Sequence, residues 1–310
     1  MVVYKALILT LFYNCQTYIV FTLNQKSATL IAMSKQPDTP DKVYASNTLV
    51  KSRLNVTTPA HLPDSMVPSV NLLPDCKRLI LFTRHSLRER SDGNGFASYQ
   101  LPLTSKGRVL AKSWGRWLDS NLPYSLDVDS ISSPIGRCID TAQLMQEGAG
   151  LQRDIAHQSL LVEPGSLVTD SETVSAVFKE IGVLNFINRF LQGSIEGTKN
   201  AYQGGLDILS LLYQHQPEQN HLMLAVSHDT LLSAFLAVML DTPEIDWNDW
   251  PKMMEGVFLW FDDKPFIETS AHFIWRGEVY TRSVSSLLES YRASGFHSSQ
   301  LLLPPEVKWT

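Results

Sequence analysis

Cysteine is scarce in this sequence, and so are the residue clusters from which metal sites are built. The 310 residues include three cysteines, Cys15, Cys76 and Cys138, and their spacing is not that of metal ligands. There is no acidic metal-binding cluster and no histidine-rich motif. An odd cysteine count favours a reducing compartment or buried thiols, and Cys138 is expected to be a small buried helix residue. We therefore expect no metal and no other cofactor.

A surplus of positive charge is also lacking. The formal net charge is -5, with 26 Lys and Arg against 31 Asp and Glu. Because nucleic-acid-binding domains usually carry a basic patch, this balance argues against a nucleic-acid partner. Arginines that cluster in a mildly acidic protein instead favour a small anionic ligand. With 44% hydrophobic residues, the chain can bury one α/β domain plus extensions, or two small domains.

The N-terminal region lacks a continuous hydrophobic run. Residues 2–23 are mostly apolar but are interrupted by Lys5, Asn14, Gln16 and Thr17. A spanning helix needs about 20 predominantly apolar residues, and a secretory signal needs a positive start, an apolar centre and a small-residue cleavage site. Three interpretations stay open: an uncleaved anchor, a signal, or translation that begins at Met33. Membrane contact is expected only with an uncleaved anchor, and a cytoplasmic protein only with a start at Met33; otherwise the protein is secreted or membrane-anchored.

A proline-rich segment follows the N-terminal region. Residues 34–75 contain Pro37, Pro40, Pro59, Pro63, Pro68 and Pro74. These prolines are expected to prevent regular structure, so this segment is predicted to be a linker or an extension packed along the domain. The predicted organisation is a signal, anchor or mis-assigned start in residues 1–33, a proline-rich extension in 34–75 and a catalytic domain in 76–310.

Apolar runs that end in charged residues organise this domain. The run Leu79–Thr83 is typical of a strand buried on both faces, and it is followed by Arg84, His85 and Arg88. A second strand, predicted at Asp129–Ser133, precedes Arg137, and a third, Leu222–Ser227, precedes His228 and Asp229. In open α/β sheets, ligands bind beyond the carboxyl ends of the strands. The three strand ends therefore predict one site.

The elements between these strands are predicted from helical spacing. Thr104 caps a helix that runs to about Asn121, with Leu110, Trp114, Trp117 and Leu118 on its core face. Further helices are expected at Gly136–Gln146, at Asp229–Leu240 and beside the sheet within residues 151–221. Gly256–Phe261 and His272–Trp275 are predicted strands, antiparallel at an edge. The predicted fold class is α/β, a three-layer sandwich whose central, mostly parallel sheet is flanked by helices.

Four motifs resemble those of the histidine phosphatase superfamily, which includes phosphoglycerate mutase-like enzymes and histidine acid phosphatases, and the resemblance as a whole covers roughly residues 77–262. Arg84-His85 resembles the Arg-His-Gly signature, and Leu103-Thr104-x-x-Gly107 resembles the Leu-Thr-x-x-Gly element. Arg137 with Thr141-Ala142 is similar to the second arginine motif, and His228 to the second histidine. Ser86 stands where glycine is usual, which removes the freedom that glycine would give the turn.

This resemblance implies a phosphoglycerate mutase-like fold and a metal-independent phosphatase. His85 would be the nucleophile that forms a phosphohistidine, and the phosphate would be held by Arg84, Arg88, Arg137 and His228. Arginine suits this task because its planar, permanently charged fork can hold two phosphate oxygens. The expected partner is a small phosphorylated substrate.

Two carboxylates are candidates for the general acid. Asp229 resembles the donor of the acid phosphatase branch, whose pattern Arg88 also fits. Glu163 resembles the donor of the compact, mutase-like branch, which the short interval between His85 and His228 favours. Asp229 is the preferred candidate, and its alternative role is that of a helix N-cap.

The preferred function is hydrolysis of a phosphomonoester. A phosphomutase would use the same residues but keep water away from the phosphohistidine. A non-catalytic module that binds a phosphorylated ligand is the third possibility. Substrate specificity is expected to lie in residues 86–103 and 151–221.

Overall fold

The computed structural model describes residues 10–12, 17–24, 27–34, 57–75, 77–89, 99–122, 125–126, 130–162 and 166–294. The chain divides into two compact units, residues 1–53 and 54–310. In the first, β1 (Thr10–Phe12), β2 (Thr17–Asn24) and β3 (Ser27–Ser34) form an antiparallel sheet. Within the described ranges, no helix is long and apolar enough to span a membrane. The anchor, the signal and the start at Met33 stay predictions.

The second unit is built on an eight-stranded sheet. Its strands are β4 (Leu79–Arg84), β5 (Ser125–Leu126), β6 (Ile131–Ser132), β7 (Ala156–His157), β8 (His221–Ser227), β9 (Gly256–Phe261), β10 (Ser270–Trp275) and β11 (Glu278–Ser283). Seven strands lie in the order β11-β10-β9-β4-β8-β6-β7, and β5 pairs with β8. The pairs among β4 to β8 are parallel, whereas β9, β10 and β11 are antiparallel to their neighbours. The expected parallel core is present, with an antiparallel extension on one side.

Helices cover both faces of this sheet. They are α1 (Met66–Val70), α2 (Ser105–Asn121), α3 (Gly136–Gly148), α4 (Ser171–Ile181), α5 (Val183–Leu191), α6 (Ala201–Gln214), α7 (Asp229–Leu240) and α8 (Val284–Ala293). Successive side chains of a strand point to opposite faces. Leu79 and Leu81 pack in one core with α1, α2 and α3, while Ile80 and Phe82 pack in another with α4 to α8. The three-layer α/β sandwich is confirmed.

Helix α2 forms as its sequence predicts. The Thr104 hydroxyl accepts a hydrogen bond from Gly107 N at 2.9 Å and caps the helix. Trp114 and Trp117 are buried core residues, and their rings stack with centroids 5.1 Å apart. The apolar spacing was sufficient here because the buried face recurs at helical intervals over the whole segment.

The proline-rich extension corrects one expectation. Prolines were expected to prevent regular structure, yet Pro68 lies inside α1. It occupies the first turn, where the backbone N–H groups have no intrahelical partner, so proline is tolerated there. Met66 of the same helix is buried in the core that contains Trp114. Much of the remaining extension lies outside the described residues.

The other predicted elements differ mainly at their ends. The strand expected at Asp129–Ser133 is shorter, Ile131–Ser132, and Asp129 lies outside the described residues. The antiparallel pairing of β9 with β10 is confirmed, but β11 forms the edge. Residues 151–221 contain α4, α5 and α6, helices beside the sheet as expected.

Candidate active site

The carboxyl ends of β4, β6 and β8 lie side by side. Arg84, the last residue of β4, is in register with Ser227 of β8, and Ser132 of β6 is in register with Val226. Because the three strands are parallel, their carboxyl ends lie at the same edge of the sheet. The residues that follow the strands therefore also lie at this edge. This edge holds the predicted site.

His85 is buried there, with 1% of its surface exposed. Its Nδ1 lies 2.8 Å from the carbonyl oxygen of Ser86. A carbonyl only accepts, so this contact assigns the ring proton to Nδ1. The other nitrogen, Nε2, then has a free electron pair, and it accepts a hydrogen bond from Arg137 Nε at 2.9 Å. The ring is thus oriented through both of its nitrogens.

The surroundings keep His85 neutral. Burial, followed by the charges of Arg84, His228 and Arg137, holds the pKa of His85 well below its usual value, and the Ser86 carbonyl opposes the shift only weakly. A neutral imidazole with an available electron pair is the nucleophilic form of histidine. The geometry and the electrostatics therefore leave Nε2 as the nitrogen with an available electron pair.

Arg137 joins this ring to a second one. The residue lies in the first turn of α3, is 2% exposed, and donates through Nη2 to His228 Nδ1 at 3.1 Å. Because arginine only donates, this contact leaves Nδ1 unprotonated and assigns the ring proton to Nε2, which lies 2.9 Å from the Ser133 hydroxyl. Burial, then the charge of Arg137, lowers the pKa of His228 to about 3. Both rings are neutral acceptors for one guanidinium.

Arg84 forms an ion pair with the preferred acid. Its Nη2 lies 2.5 Å from Asp229 Oδ2, and its Nη1 donates to Pro251 O at 2.7 Å. Asp229 also accepts from Thr230 N at 3.1 Å and from Trp250 Nε1 at 3.2 Å. Burial acts to raise the pKa of Asp229, but Arg84 and the Trp250 hydrogen bond outweigh it and hold that pKa below its usual value. The carboxylate is ionised at neutral pH.

Ser86 fits its position without the freedom of glycine. It is absent from the residues with positive φ. Its backbone N–H donates to Thr141 Oγ1 at 3.0 Å, and its hydroxyl donates to Gly107 O at 2.8 Å. Thr141 in turn donates to Arg137 O at 2.7 Å. The serine therefore links the loop after His85 to α2, and its backbone links it to α3.

The Leu103–Gly107 motif has a structural role in this site. Thr104 N donates to Leu87 O at 2.9 Å. A Cβ atom on Gly107 would lie 2.0 Å from the same carbonyl oxygen. Glycine is required because α2 begins in direct contact with the loop that follows His85.

Arg88 and Glu163 are the two remaining predicted site residues. Arg88 is half-buried, donates to Glu89 O at 3.0 Å, and contributes to the lowered pKa of His228. Glu163 lies outside the described residues. The N-cap alternative for Asp229 is wrong, since His228 holds the cap position and Asp229 is the first residue of α7.

Sequence reasoning missed the loop before β9. Trp250 and Pro251 contact Asp229 and Arg84, although they lie far away in sequence. The direction of strand β9 is the feature that would have identified them. Because β9 is antiparallel to β4, it begins at the edge where β4 ends, so the loop preceding it reaches the site.

Cys138 lies beside His228. Cys138 is fully buried in α3, as predicted, with its sulfur 3.6 Å from His228 Nε2. Among the residues that the structure describes, no group of three or more His, Cys, Asp or Glu side chains is placed to hold a metal ion.

Several solved structures are similar to this chain. No curated protein matches it in sequence. Similar structures include a phosphoglycerate mutase from Bacillus anthracis (16% identity, 71% of this chain and 98% of that chain covered, TM-score 0.42). A mycobacterial glucosyl-3-phosphoglycerate phosphatase is also similar (17%, 65% and 99%, TM-score 0.46), as is a phosphoserine phosphatase mutant from Entamoeba histolytica (15%, 67% and 97%, TM-score 0.43). At this similarity, none of the three bears on activity.

The family assignment comes from a sequence model. The model of the histidine phosphatase superfamily (branch 1) matches residues 80–255, more than half of the chain. The matched region contains His85, Arg137 and His228, the residues that the fold brings together. The chain therefore belongs to the histidine phosphatase superfamily.

Proposed function

We propose that this protein is a phosphatase that hydrolyses a small phosphomonoester through a phosphohistidine on His85. The observation that carries the proposal is the neutral His85 ring, whose Nε2 electron pair faces the guanidinium of Arg137 at 2.9 Å. Nε2 attacks phosphorus, and a nitrogen–phosphorus bond forms as the bond to the leaving oxygen breaks. Water then attacks phosphorus and gives a proton to the carboxylate that protonated the leaving oxygen. The nitrogen–phosphorus bond breaks, which releases inorganic phosphate and restores the free ring.

The phosphate oxygens would be held by Arg84 and Arg137, with Arg88 at the margin. His228 is neutral in the free protein and would donate to a phosphate oxygen through Nδ1 once the bound phosphate favours its protonation. The transferred phosphoryl group carries its charge on three oxygens, and fixed positive charge around them stabilises the transition state. In the free protein, Arg137 donates to two imidazoles. Phosphate oxygens would take over these donors, and two-point contacts from arginine are the strong ones.

Asp229 would donate the proton to the leaving oxygen, although the free protein holds it ionised. Its pKa is lowered chiefly by Arg84, against the effect of burial. A substrate phosphate that binds Arg84 brings negative charge next to Asp229 and weakens this pairing, and both effects favour the protonated carboxyl group. Substrate binding would thus convert Asp229 into an acid. Glu163 is the second candidate for this role.

Phosphate release from an alkyl and an aryl phosphate, measured with chelator present, tests the proposal. The wild type should be active, and His85→Ala should be inactive while folded by circular dichroism. Asp229→Asn should lose about 10²- to 10⁴-fold on the alkyl ester. The loss should be smaller on the aryl ester, because a phenolate is a better leaving group and depends less on protonation by an acid.

The same assay identifies the alternatives. Loss of activity with chelator, or activity in His85→Ala, would contradict the metal-independent phosphohistidine route. An alkyl-selective loss in Glu163→Gln rather than in Asp229→Asn would reassign the acid. Turnover that depends on a bisphosphorylated primer would indicate a phosphomutase.

A further inference from the structure

A largely buried ion pair, in which the Arg276 side chain is 28% exposed, lies next to the site, and no step of the proposed reaction uses it. Glu255 is 2% exposed, and its two carboxylate oxygens accept from Arg276 Nε at 3.0 Å and Nη2 at 3.1 Å. Ser65 Oγ and Lys252 N donate to the same carboxylate, each at 2.8 Å. A buried ion pair is weak evidence for stability, since desolvation offsets its attraction. The pair calls for another explanation.

Arg276 also binds the main chain of the loop before β9. Its guanidinium donates to Asn248 O and, at 3.1 Å, to Trp250 O. We call residues 248–255 the Trp250 segment. One guanidinium thus holds the beginning of this segment through its carbonyls and the end through Glu255, which leaves the segment little freedom to move.

The Trp250 segment in turn contacts the site residues at four points. These are Trp250 Nε1 with Asp229 Oδ2 (3.2 Å), Pro251 O with Arg84 Nη1 (2.7 Å), Met254 N with His85 O (3.2 Å) and Glu255 O with Arg84 N (3.0 Å). Every contact ends on the nucleophile, the preferred acid or the arginine between them. The position of the segment therefore sets the positions of these groups.

The proposed reaction makes this support necessary. Arg84 pairs with Asp229 in the free protein but has to bind phosphate in the complex. When Arg84 turns to the phosphate, the contacts left to Asp229 in the structure are those from Thr230 N and Trp250 Nε1. An acid displaced by about 1 Å can cost on the order of 100-fold in rate.

We propose that Arg276 and Glu255 are positioning residues: they fix the Trp250 segment, so that Trp250 keeps Asp229 in place while Arg84 binds the phosphate. This inference rests on the proposed function. The ion pair acts on the reaction through the indole N–H and through the Pro251 carbonyl, and neither of its members touches the substrate.

The test compares kcat on alkyl and aryl phosphates for Arg276→Gln, Trp250→Phe and the double variant. Each single change should lower kcat on the alkyl ester by about 10- to 100-fold, with a much smaller change on the aryl ester. If Arg276 acts through Trp250, the double variant should be no slower than the slower single variant. Arg276→Lys should recover part of the loss.

A second buried ion pair provides the matched control. Lys199 Nζ lies 2.7 Å from Asp207 Oδ2, whose side chain is fully buried. Lys199→Gln should lower the thermal unfolding temperature without changing the ratio of alkyl to aryl kcat. The inference would be overturned if Arg276→Gln left the ratio of alkyl to aryl kcat unchanged, or if Lys199→Gln changed this ratio equally. It would also be overturned if the losses of the two single variants multiplied in the double variant.

Binding of inorganic phosphate, measured by calorimetry, separates this inference from the proposed function. Because the segment also holds Arg84, Arg276→Gln should weaken phosphate binding severalfold, and Lys199→Gln should not. A wild type that binds phosphate but releases none from any ester would contradict the proposed function alone. Equal phosphate affinity in wild type and Arg276→Gln would contradict the positioning role.

Discussion

Two buried imidazoles share one guanidinium at the centre of the site. Arg137 donates to His85 Nε2 and to His228 Nδ1. Protonation of either ring would set two N–H groups against each other, so the arrangement is stable only while both rings are neutral. The residue types and their positions after strands were predictable from sequence. The tautomers were not, because they depend on the Ser86 carbonyl beside His85 and on the Arg137 guanidinium beside His228.

Acid should destabilise the protein through His228. Burial and Arg137 lower its folded pKa to about 3 from 6.5, so below pH 6.5 the unfolded chain binds a proton that the folded chain does not. Stability should therefore fall as the pH drops from 6.5, by up to about 1.4 kcal/mol per pH unit from this group. Urea unfolding at pH 6.5 and about pH 5 measures the slope. His228→Asn should have a clearly shallower slope, and an equal slope would contradict the assignment.

The pH dependence of catalysis should have an acidic optimum. His85 stays neutral well below pH 6.5 because burial and the charges near it lower its pKa. Asp229 has to be protonated to act, and its pKa in the free protein is below its usual value. Consequently kcat/KM for an alkyl phosphate should rise from neutral to mildly acidic pH. A fall in kcat/KM that follows a histidine titration near pH 6.5 would contradict this account.

At the scale of elements, the site depends on how α2 meets the loop after His85. Thr104 and Gly107 contact this loop through Leu87 O and Ser86. The sequence predicted the helix and its cap, because those depend on local spacing. It did not predict that the motif is a packing contact, because Leu87 lies outside the helix.

Gly107→Ala should impair both stability and activity. Its Cβ would lie 2.0 Å from Leu87 O, a backbone atom that cannot move without shifting the loop after His85. We expect a loss of about 1–3 kcal/mol in the free energy of unfolding, together with reduced kcat. Gly136→Ala is the matched control, since a Cβ there meets nothing within 4 Å. Equal free energies of unfolding and equal kcat values in the two variants would contradict the proposed role of this contact.

At the scale of the whole molecule, the sheet separates two cores, and residues 57–75 complete one of them. Met66 and Leu62 are buried with Leu79 and Trp114. The strands and the helices that cover the sheet were predictable from apolar runs and helical spacing, but the order of the strands was not. The sequence left open whether residues 57–75 pack on the domain or form a linker, because prolines and short apolar stretches give no periodic signal.

Met66→Ala should show that the extension belongs to the folded unit. Met66 is 1% exposed, so its truncation should cost about 2–5 kcal/mol in the free energy of unfolding. Denaturant unfolding measures this loss. Leu72→Ala, at an exposed position of the same segment, is the control and should change stability little. A neutral Met66→Ala would mean that the extension is not packed as described.

The Trp250 segment illustrates why part of the site escaped prediction. Its contacts with Asp229 and Arg84 arise from the antiparallel pairing of β9 with β4. Apolar patterning identifies a strand but gives neither its direction nor its neighbour. Residues placed at the site by long-range pairing therefore carry no local signal, whereas His85, Arg137 and His228 follow strands that the pattern reveals.

Trapping of the covalent intermediate tests the central claim most directly. The protein is mixed with an aryl phosphate, quenched in alkali, in which phosphohistidine survives, and digested for mass spectrometry. The account predicts a phosphoryl group on His85 that forms on the timescale of turnover and is absent from His85→Ala. Turnover of the substrate with no phosphoryl group on His85, or with one on a different residue, would contradict it.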